Sequence, residues 1–214
     1  MEEQVIQKDV SDKEKIGIMG GTFNPIHFGH LILSERAYEQ FGLEKVLIMP
    51  TNNPPHKENS VIAPDLNRCA MIELAIVDNP HLELSLVEVN RQGITYTSDT
   101  LKELTEKYPQ KEWYFILGGD SLGSIEKWRE PQVIFDLATV VVAIRDDYNH
   151  DVIKNQIVHL EEQYGARIEI LKAPNIEISS SEIRERYEKK LSCRYMLPKL
   201  VEGYIETHKL YKNS

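Results

Sequence analysis

The 214-residue chain carries 25 Lys and Arg against 34 Asp and Glu, a net charge of −9, with 41% hydrophobic and 28% charged residues. These values describe one globular domain with a sizeable core and argue against sequence-independent binding to nucleic acid, which needs positive charge. No apolar run approaches a membrane span, and Cys69 and Cys193 form no Cys-x-x-Cys pair, which points to free thiols in a reducing cytoplasm.

Residues 1–14 are polar, charged and aperiodic, so a mobile N-terminal extension is expected ahead of one domain over 15–214. Met1-Glu2-Glu3-Gln4 does not read as a signal peptide. Ile16, Ile18 and Met19 predict a buried strand ended by Gly20-Gly21, and Leu31, Leu33, Ala37, Tyr38 and Phe41 then recur at helical spacing. Val46-Leu47-Ile48-Met49 predicts a second strand stopped by Pro50, followed by a proline-stiffened loop, Thr51-Asn52-Asn53-Pro54-Pro55-His56-Lys57. A helix is expected from Pro64 with Leu66, Ala70, Leu74 and Val77 on its inward face. A strand with alternating Leu82, Leu84 and Leu86 follows, then a helix over 98–108 with Ser98 as a candidate N-cap.

Trp113-Tyr114-Phe115-Ile116-Leu117 predicts a strand closed by Gly118-Gly119. After a short helix around Pro131–Leu137, Thr139-Val140-Val141-Val142-Ala143-Ile144 has the continuous apolar character of a buried parallel strand. An amphipathic helix from Asp151 to Gln163 turns Ile153, Ile157 and Leu160 inward and ends at Gly165. Ile168-Ile170-Leu171 predicts the last strand, and two further helices start at Ser179 and after Pro198. This alternation predicts an α/β fold, a doubly wound parallel sheet with helices on both faces and a C-terminal helical cap.

The residues from Gly20 to His30 put two imidazoles, His27 and His30, at the mouth of a strand-turn-helix unit, beside backbone N–H groups expected to face outward. Such a mouth suits an anion; a tight βα turn with two surface histidines is the alternative. Gly20-Gly21 permits close backbone approach. Neither Gly-x-Gly-x-x-Gly nor Gly-Lys-Ser/Thr occurs, so hydride-transfer and P-loop readings lose their main support. Ser179-Ser180-Ser181-Glu182-Ile183-Arg184 gathers hydroxyls, amides and a guanidinium at a helix start, a phosphate site or a plain serine cap. Strand ends on one edge of an α/β sheet share a crevice, which favours the phosphate reading for both segments together. Lys57, on the loop after the second strand, either overhangs that crevice or is an ordinary surface lysine.

Gly119-Asp120-Ser121-Leu122-Gly123 formally matches the Gly-x-Ser-x-Gly elbow of serine hydrolases. Asp136, Asp146 or Asp151 with His150, His159 or His208 could complete a triad in chain order. That reading leaves the paired histidines and the triple serine without a task. In the other reading Asp120 accepts from ribose hydroxyls, and Trp128 either stacks on a ring or fills the core.

Gly-Gly-Thr-Phe-Asn-Pro-Ile-His-Phe-Gly-His together with Ile178-Ser179-Ser180-Ser181-Glu182-Ile183-Arg184 resembles the nucleotidyltransferase superfamily, with its His-x-Gly-His and Ile-Ser-Ser motifs. From about Lys15 to Tyr211 the chain is similar to the bacterial nicotinate-nucleotide adenylyltransferases. The distinguishing segments are Pro54-Pro55-His56-Lys57, Thr95-Tyr96-Thr97-Ser98-Asp99-Thr100-Leu101, Leu117-Gly118-Gly119-Asp120-Ser121-Leu122 followed by Trp128, and the tail from Leu197-Pro198 to Leu210-Tyr211. Pantetheine-phosphate adenylyltransferases share the two nucleotide motifs but are shorter and lack the middle segments.

The resemblance implies a Rossmann-like fold and transfer of AMP from ATP to nicotinate mononucleotide, giving deamido-NAD and pyrophosphate in NAD biosynthesis. Nicotinamide mononucleotide and phosphopantetheine are the alternative acceptors. It implies Mg²⁺ bound through the ATP phosphates with no protein metal ligand, no nucleic-acid or membrane partner, and leaves room for a homo-oligomer. It further implies that Gly20, Gly21, Thr22 and Phe23 offer backbone amides to ATP, that Asn24, Gly118, Asp120 and Ile178 border it, and that His27 and His30 contact its phosphates. Lys57 would reach the phosphates from its loop, Ser179, Ser180 and Arg184 would hold those that leave, and Thr97 and Trp128 would receive the pyridine nucleotide. Arg145 is a weaker candidate for the adenine. The family usually has aspartate where this chain has Asn24, and frequently threonine where it has Ser181. Asparagine removes a negative charge beside the triphosphate and keeps an acceptor oxygen.

Overall fold

The computed structural model describes residues 13–52, 62–144 and 150–212. Most of the expected extension, the Pro54-Pro55-His56-Lys57 segment with Lys57, and Arg145 and Asp146 therefore lie outside the described residues, as does the side chain of His150. Six parallel strands form one sheet in the order β3-β2-β1-β4-β5-β6, namely β1 (Glu14–Gly21), β2 (Lys45–Pro50), β3 (Leu82–Leu84), β4 (Lys111–Gly118), β5 (Ala138–Ala143) and β6 (Ile168–Leu171). The order doubles back at β1, so the crevice of this Rossmann-like fold opens between the C-terminal ends of β1 and β4.

Alternation along the central strands explains the two apolar layers. Ile16, Ile18, Trp113, Phe115, Leu117, Val140 and Val142 point to one face. There they meet α3 (Thr97–Lys107), α5 (Pro131–Leu137) and α6 (His150–Tyr164). Met19, Tyr114, Ile116, Val141 and Ala143 point to the other. That face is covered by α1 (Phe28–Phe41), α2 (Asp65–Ile76), α7 (Ser180–Glu188) and α8 (Lys199–Thr207). Ile183, Val201 and Ile205 join this second layer, and α8 packs on α2, which makes the C-terminal helices a cap on that side. No helix among the described residues is long and apolar enough to cross a membrane.

Three local expectations are corrected. The inward face of α2 is Arg68, Met71, Ile72, Ala75 and Ile76, whereas Leu66 is 79% and Val77 70% exposed. Apolar spacing assigned the arginine to solvent, but its guanidinium is fully buried on backbone carbonyls and sets the helix rotation. Ser98 is not an N-cap, because α3 starts at Thr97 with Tyr96 before it, and Ser98 is its buried second residue. The third strand stops at Leu84, as short edge strands do, and leaves Leu86 exposed. A further short helix, α4 (Gly119–Leu122), follows β4 directly.

Candidate active site

The turn from β1 into α1 is held from below by one buried cation. Arg68 donates to the Thr22 carbonyl and the Thr51 carbonyl, each at 2.7 Å, and pairs with Asp65 at 2.5 Å. Three acceptors on one guanidinium offset the cost of burying its charge. The ends of β1 and β2 are also joined through Thr51, whose N–H and hydroxyl both donate to the Gly21 carbonyl at 2.9 Å. Phe23 takes a left-handed backbone, φ +46°, and its buried ring stands edge-on to His30 at 4.9 Å.

His27 is the N-cap of α1 and His30 lies in its first turn. Their rings stack with centroids 3.7 Å apart at 29°. The His27 N–H donates to His30 Nδ1 at 3.3 Å. An imidazole that accepts at Nδ1 carries its proton on Nε2 when neutral, so His30 is set as a donor at Nε2. The expectation that the amides of this helix end face outward is corrected here. The Phe28 N–H donates to the Met196 carbonyl at 3.0 Å and the His30 N–H to the His27 carbonyl at 3.0 Å. With three of these amides used inside the protein, the imidazoles themselves are the polar groups turned to the cavity.

The second motif is bonded directly to the first. Ser180 Oγ donates to the Pro25 carbonyl and Arg184 Nη1 to the Asn24 carbonyl, each at 2.8 Å. Ser179 caps α7 by accepting the Glu182 N–H at 3.1 Å. The triple serine is therefore both a cap and a dock, and the two bonds fix the first turn of α7 beside the histidine pair.

Two cavities open at the strand ends. One, of about 310 Å³, is lined by His27, His30, Gly118, Ile178, the serines 179–181 and Arg184. Another, of about 180 Å³, is lined by Gly20, Gly21, Thr22, Thr97, Trp128 and the acid Glu88, among others. The structure thus separates the residues expected around ATP. The histidines, serines and arginine share the larger cavity, while the glycine turn faces the smaller one with Thr97 and Trp128. Trp128 stands edge-on to Phe115 at 6.2 Å on the wall of that smaller cavity. Asp120 is exposed on α4. Asn24 is buried, its Oδ1 accepting the Ala63 N–H at 3.1 Å and the Tyr211 hydroxyl at 2.8 Å.

Among the described residues the hydrolase triad is not assembled. Ser121 sits inside α4, while His159 is engaged with Glu126 at 3.1 Å and His208 with the Tyr204 carbonyl at 3.0 Å.

Sequence reasoning missed Arg68, because a lone arginine in an amphipathic helix gives no sign of burial, and it missed Glu88. The Glu88 carboxyl is buried, accepts the Thr100 hydroxyl at 2.9 Å and stands near Arg91. Burial pushes its pKa above the ordinary 4.5, against the lowering effect of Thr100 and Arg91. The folded state then keeps a proton that the unfolded chain releases above about 4.5, so Glu88 lowers stability progressively as pH rises from there through its folded pKa. Urea midpoints measured between pH 4.5 and 8 will fall less steeply in Glu88→Gln than in the parent. Parallel slopes would remove the assignment.

A Rossmann-like sheet with a paired-histidine turn and a serine-arginine helix start at its switch point defines the class of nucleotidyl-transferring α/β domains. A cytidylyltransferase-like family model matches residues 18–186. A relative from Lachnoclostridium phytofermentans, named "Probable nicotinate-nucleotide adenylyltransferase", is 50% identical over 197 residues, 92% of this chain and 98% of its own. One of the same name from Desulfitobacterium hafniense is 40% identical over 199 residues, 93% of this chain and 96% of its own. Among solved structures, Plasmodium falciparum nicotinic acid mononucleotide adenylyltransferase complexed with NaAD superposes with a TM-score of 0.77 at 20% identity, covering 92% of this chain and 97% of that one. The chain belongs to the nicotinate-nucleotide adenylyltransferase family within the cytidylyltransferase-like proteins.

Proposed function

We propose that the chain transfers AMP from ATP to nicotinate mononucleotide, forming deamido-NAD and pyrophosphate in NAD biosynthesis. The observation that carries this reading is the bonding of α7 onto the Asn24-Pro25 turn beside the stacked histidines. It assembles imidazoles, hydroxyls and a guanidinium suited to a triphosphate in an otherwise acidic protein. Family membership at 50% identity over nearly the whole chain supports the choice of acceptor.

The nucleophile is a phosphate oxygen of the mononucleotide, already anionic at neutral pH, so the site needs no general base and no enzyme nucleophile. The acceptor oxygen bonds to the α-phosphorus of ATP as the bond to the bridging oxygen breaks, and pyrophosphate leaves with that electron pair. The task of the protein is to hold two mutually repelling anions in line and to meet charge as it develops. We assign the larger cavity to ATP. His27 and His30 sit at the transferring phosphate, and Ser179, Ser180 and Arg184 hold the phosphates that leave. Gly118 and Ile178 border the nucleotide, and Asp120 lies beside its ribose.

The smaller cavity receives the pyridine mononucleotide, with the ring on Trp128 and its phosphate directed across Gly20-Gly21-Thr22 from beside Thr97. The glycine turn thus serves the junction between the two substrates. Mg²⁺ supplies further charge neutralisation when bound. It would be bound through the ATP phosphates, and no step is assigned to it. The free thiols of Cys69 and Cys193 suit a reducing cytoplasm.

The direct test is pyrophosphate release by the purified protein with ATP, Mg²⁺ and, in parallel, nicotinate mononucleotide, nicotinamide mononucleotide or phosphopantetheine. Nicotinate mononucleotide will give the highest kcat/KM. A clear preference for either other acceptor would overturn the assignment.

A further inference from the structure

The chemistry above gives no task to Tyr211, although this residue ties the end of the chain to its first turn. Tyr211 Oη donates to Asn24 Oδ1 at 2.8 Å across 187 positions of sequence. The accepting residue is only 3% exposed, and its Oδ1 also takes the Ala63 N–H at 3.1 Å. The backbone of the same short turn carries the bonds that orient the phosphate-side groups, with Asn24 O accepting Arg184 and Pro25 O accepting Ser180, each at 2.8 Å. Side chain and backbone of Asn24 therefore link the C-terminal tyrosine to the arginine that lines the larger cavity.

The tyrosine is held for this contact. Its backbone, like that of Lys209, lies in the left-handed region, with φ +61° and +53°. A bulky residue adopts that conformation only where its surroundings enforce it. Its ring lies 6.4 Å from that of Tyr187 on α7. Burial raises the pKa of the hydroxyl well above the ordinary tyrosine range, against the lowering effect of Arg184 and Arg68, so it remains a donor throughout the physiological range.

We infer that Tyr211 is a positioning residue for the triphosphate, setting through Asn24 the placement of Arg184 and Ser180, and acting on ATP but not on the acceptor. The inference rests on the assignment of the larger cavity to ATP. Asparagine suits the linkage because its neutral oxygen accepts two neutral donors.

The test uses Tyr211→Phe, which keeps the ring and removes the donor, in the full chain. Steady-state kinetics will show kcat/KM for ATP lowered by roughly five- to tenfold, about the worth of one neutral hydrogen bond. KM for the acceptor mononucleotide will stay within about twofold. Calorimetric affinity for a non-hydrolysable ATP analogue will fall by the same roughly five- to tenfold factor. In an Asn24→Ala background, adding Tyr211→Phe will cost less than about twofold, because the two act as one unit.

Unchanged ATP parameters, equal losses on both substrates, additive losses in the cycle, or a melting point below the assay temperature would each overturn the inference. Analogue binding needs no acceptor, so it separates this failure from failure of the proposed reaction. The latter would appear in the parent protein as no pyrophosphate release with nicotinate mononucleotide.

Discussion

Replacing His30 with alanine will lower kcat by roughly 10²–10³, the usual cost of removing one donor aimed at developing charge. The acceptor KM will move little, because the imidazole lines the larger cavity and is not among the residues at the smaller one. The size of the effect follows from how the ring is prepared. Its Nδ1 accepts the His27 N–H, its face is stacked on His27, and the buried edge of Phe23 meets it from the side. Each contact removes a rotameric alternative, so Nε2–H is presented with little reorganisation. Near-normal turnover in rapid-quench assays would remove the histidine pair from the mechanism, and with it the role given to the first motif.

Changing Gly29 to alanine will separate activity from stability. A Cβ at this position would stand 3.0 Å from both Cε1 and Nδ1 of His27. His27 cannot retreat, because its other face is against His30 at 3.7 Å. The ring pair must give by a few tenths of an ångström, a fraction of the roughly 1 Å misplacement that costs up to about 10² in rate. Position 29 is the buried second residue of α1, where alanine is intrinsically favoured over glycine by up to about 1 kcal/mol. The expected result is a kcat reduced roughly three- to tenfold, scaled down from the cost of a full 1 Å misplacement, with a melting temperature equal to or above the parent's. A loss of melting temperature in step with activity would show that the glycine serves folding alone.

The architecture was legible because its strands are strongly marked. Trp113 to Leu117 and Thr139 to Ala143 are apolar on both faces, as buried parallel strands are, and the second is followed by the amphipathic helix α6. The two motifs were legible as types, since serines at a helix start and histidines after a glycine turn each suggest anion binding. Their mutual attachment was not, because Ser180 to Pro25 and Arg184 to Asn24 span 155 and 160 residues.

Charge misled the reading at Arg68 and Glu88. Both are buried because their partners come from other segments, the Thr22 and Thr51 carbonyls in one case and Thr100 in the other. The amides at the start of α1 looked available because local sequence cannot show that Met196 supplies an acceptor from the far end of the chain. Asn24 likewise reads as a substitution beside phosphates, yet its side chain lies under the turn, bonded to Ala63 and Tyr211.

The proposed transfer is a single direct displacement at the α-phosphorus, achieved by charge and alignment with no adenylyl-enzyme. The stereochemical course with ATP made chiral by sulfur at that phosphorus tests it most directly. One in-line transfer to nicotinate mononucleotide predicts a dinucleotide with inverted configuration. Retention would require two successive displacements through a covalent enzyme intermediate and would contradict the account.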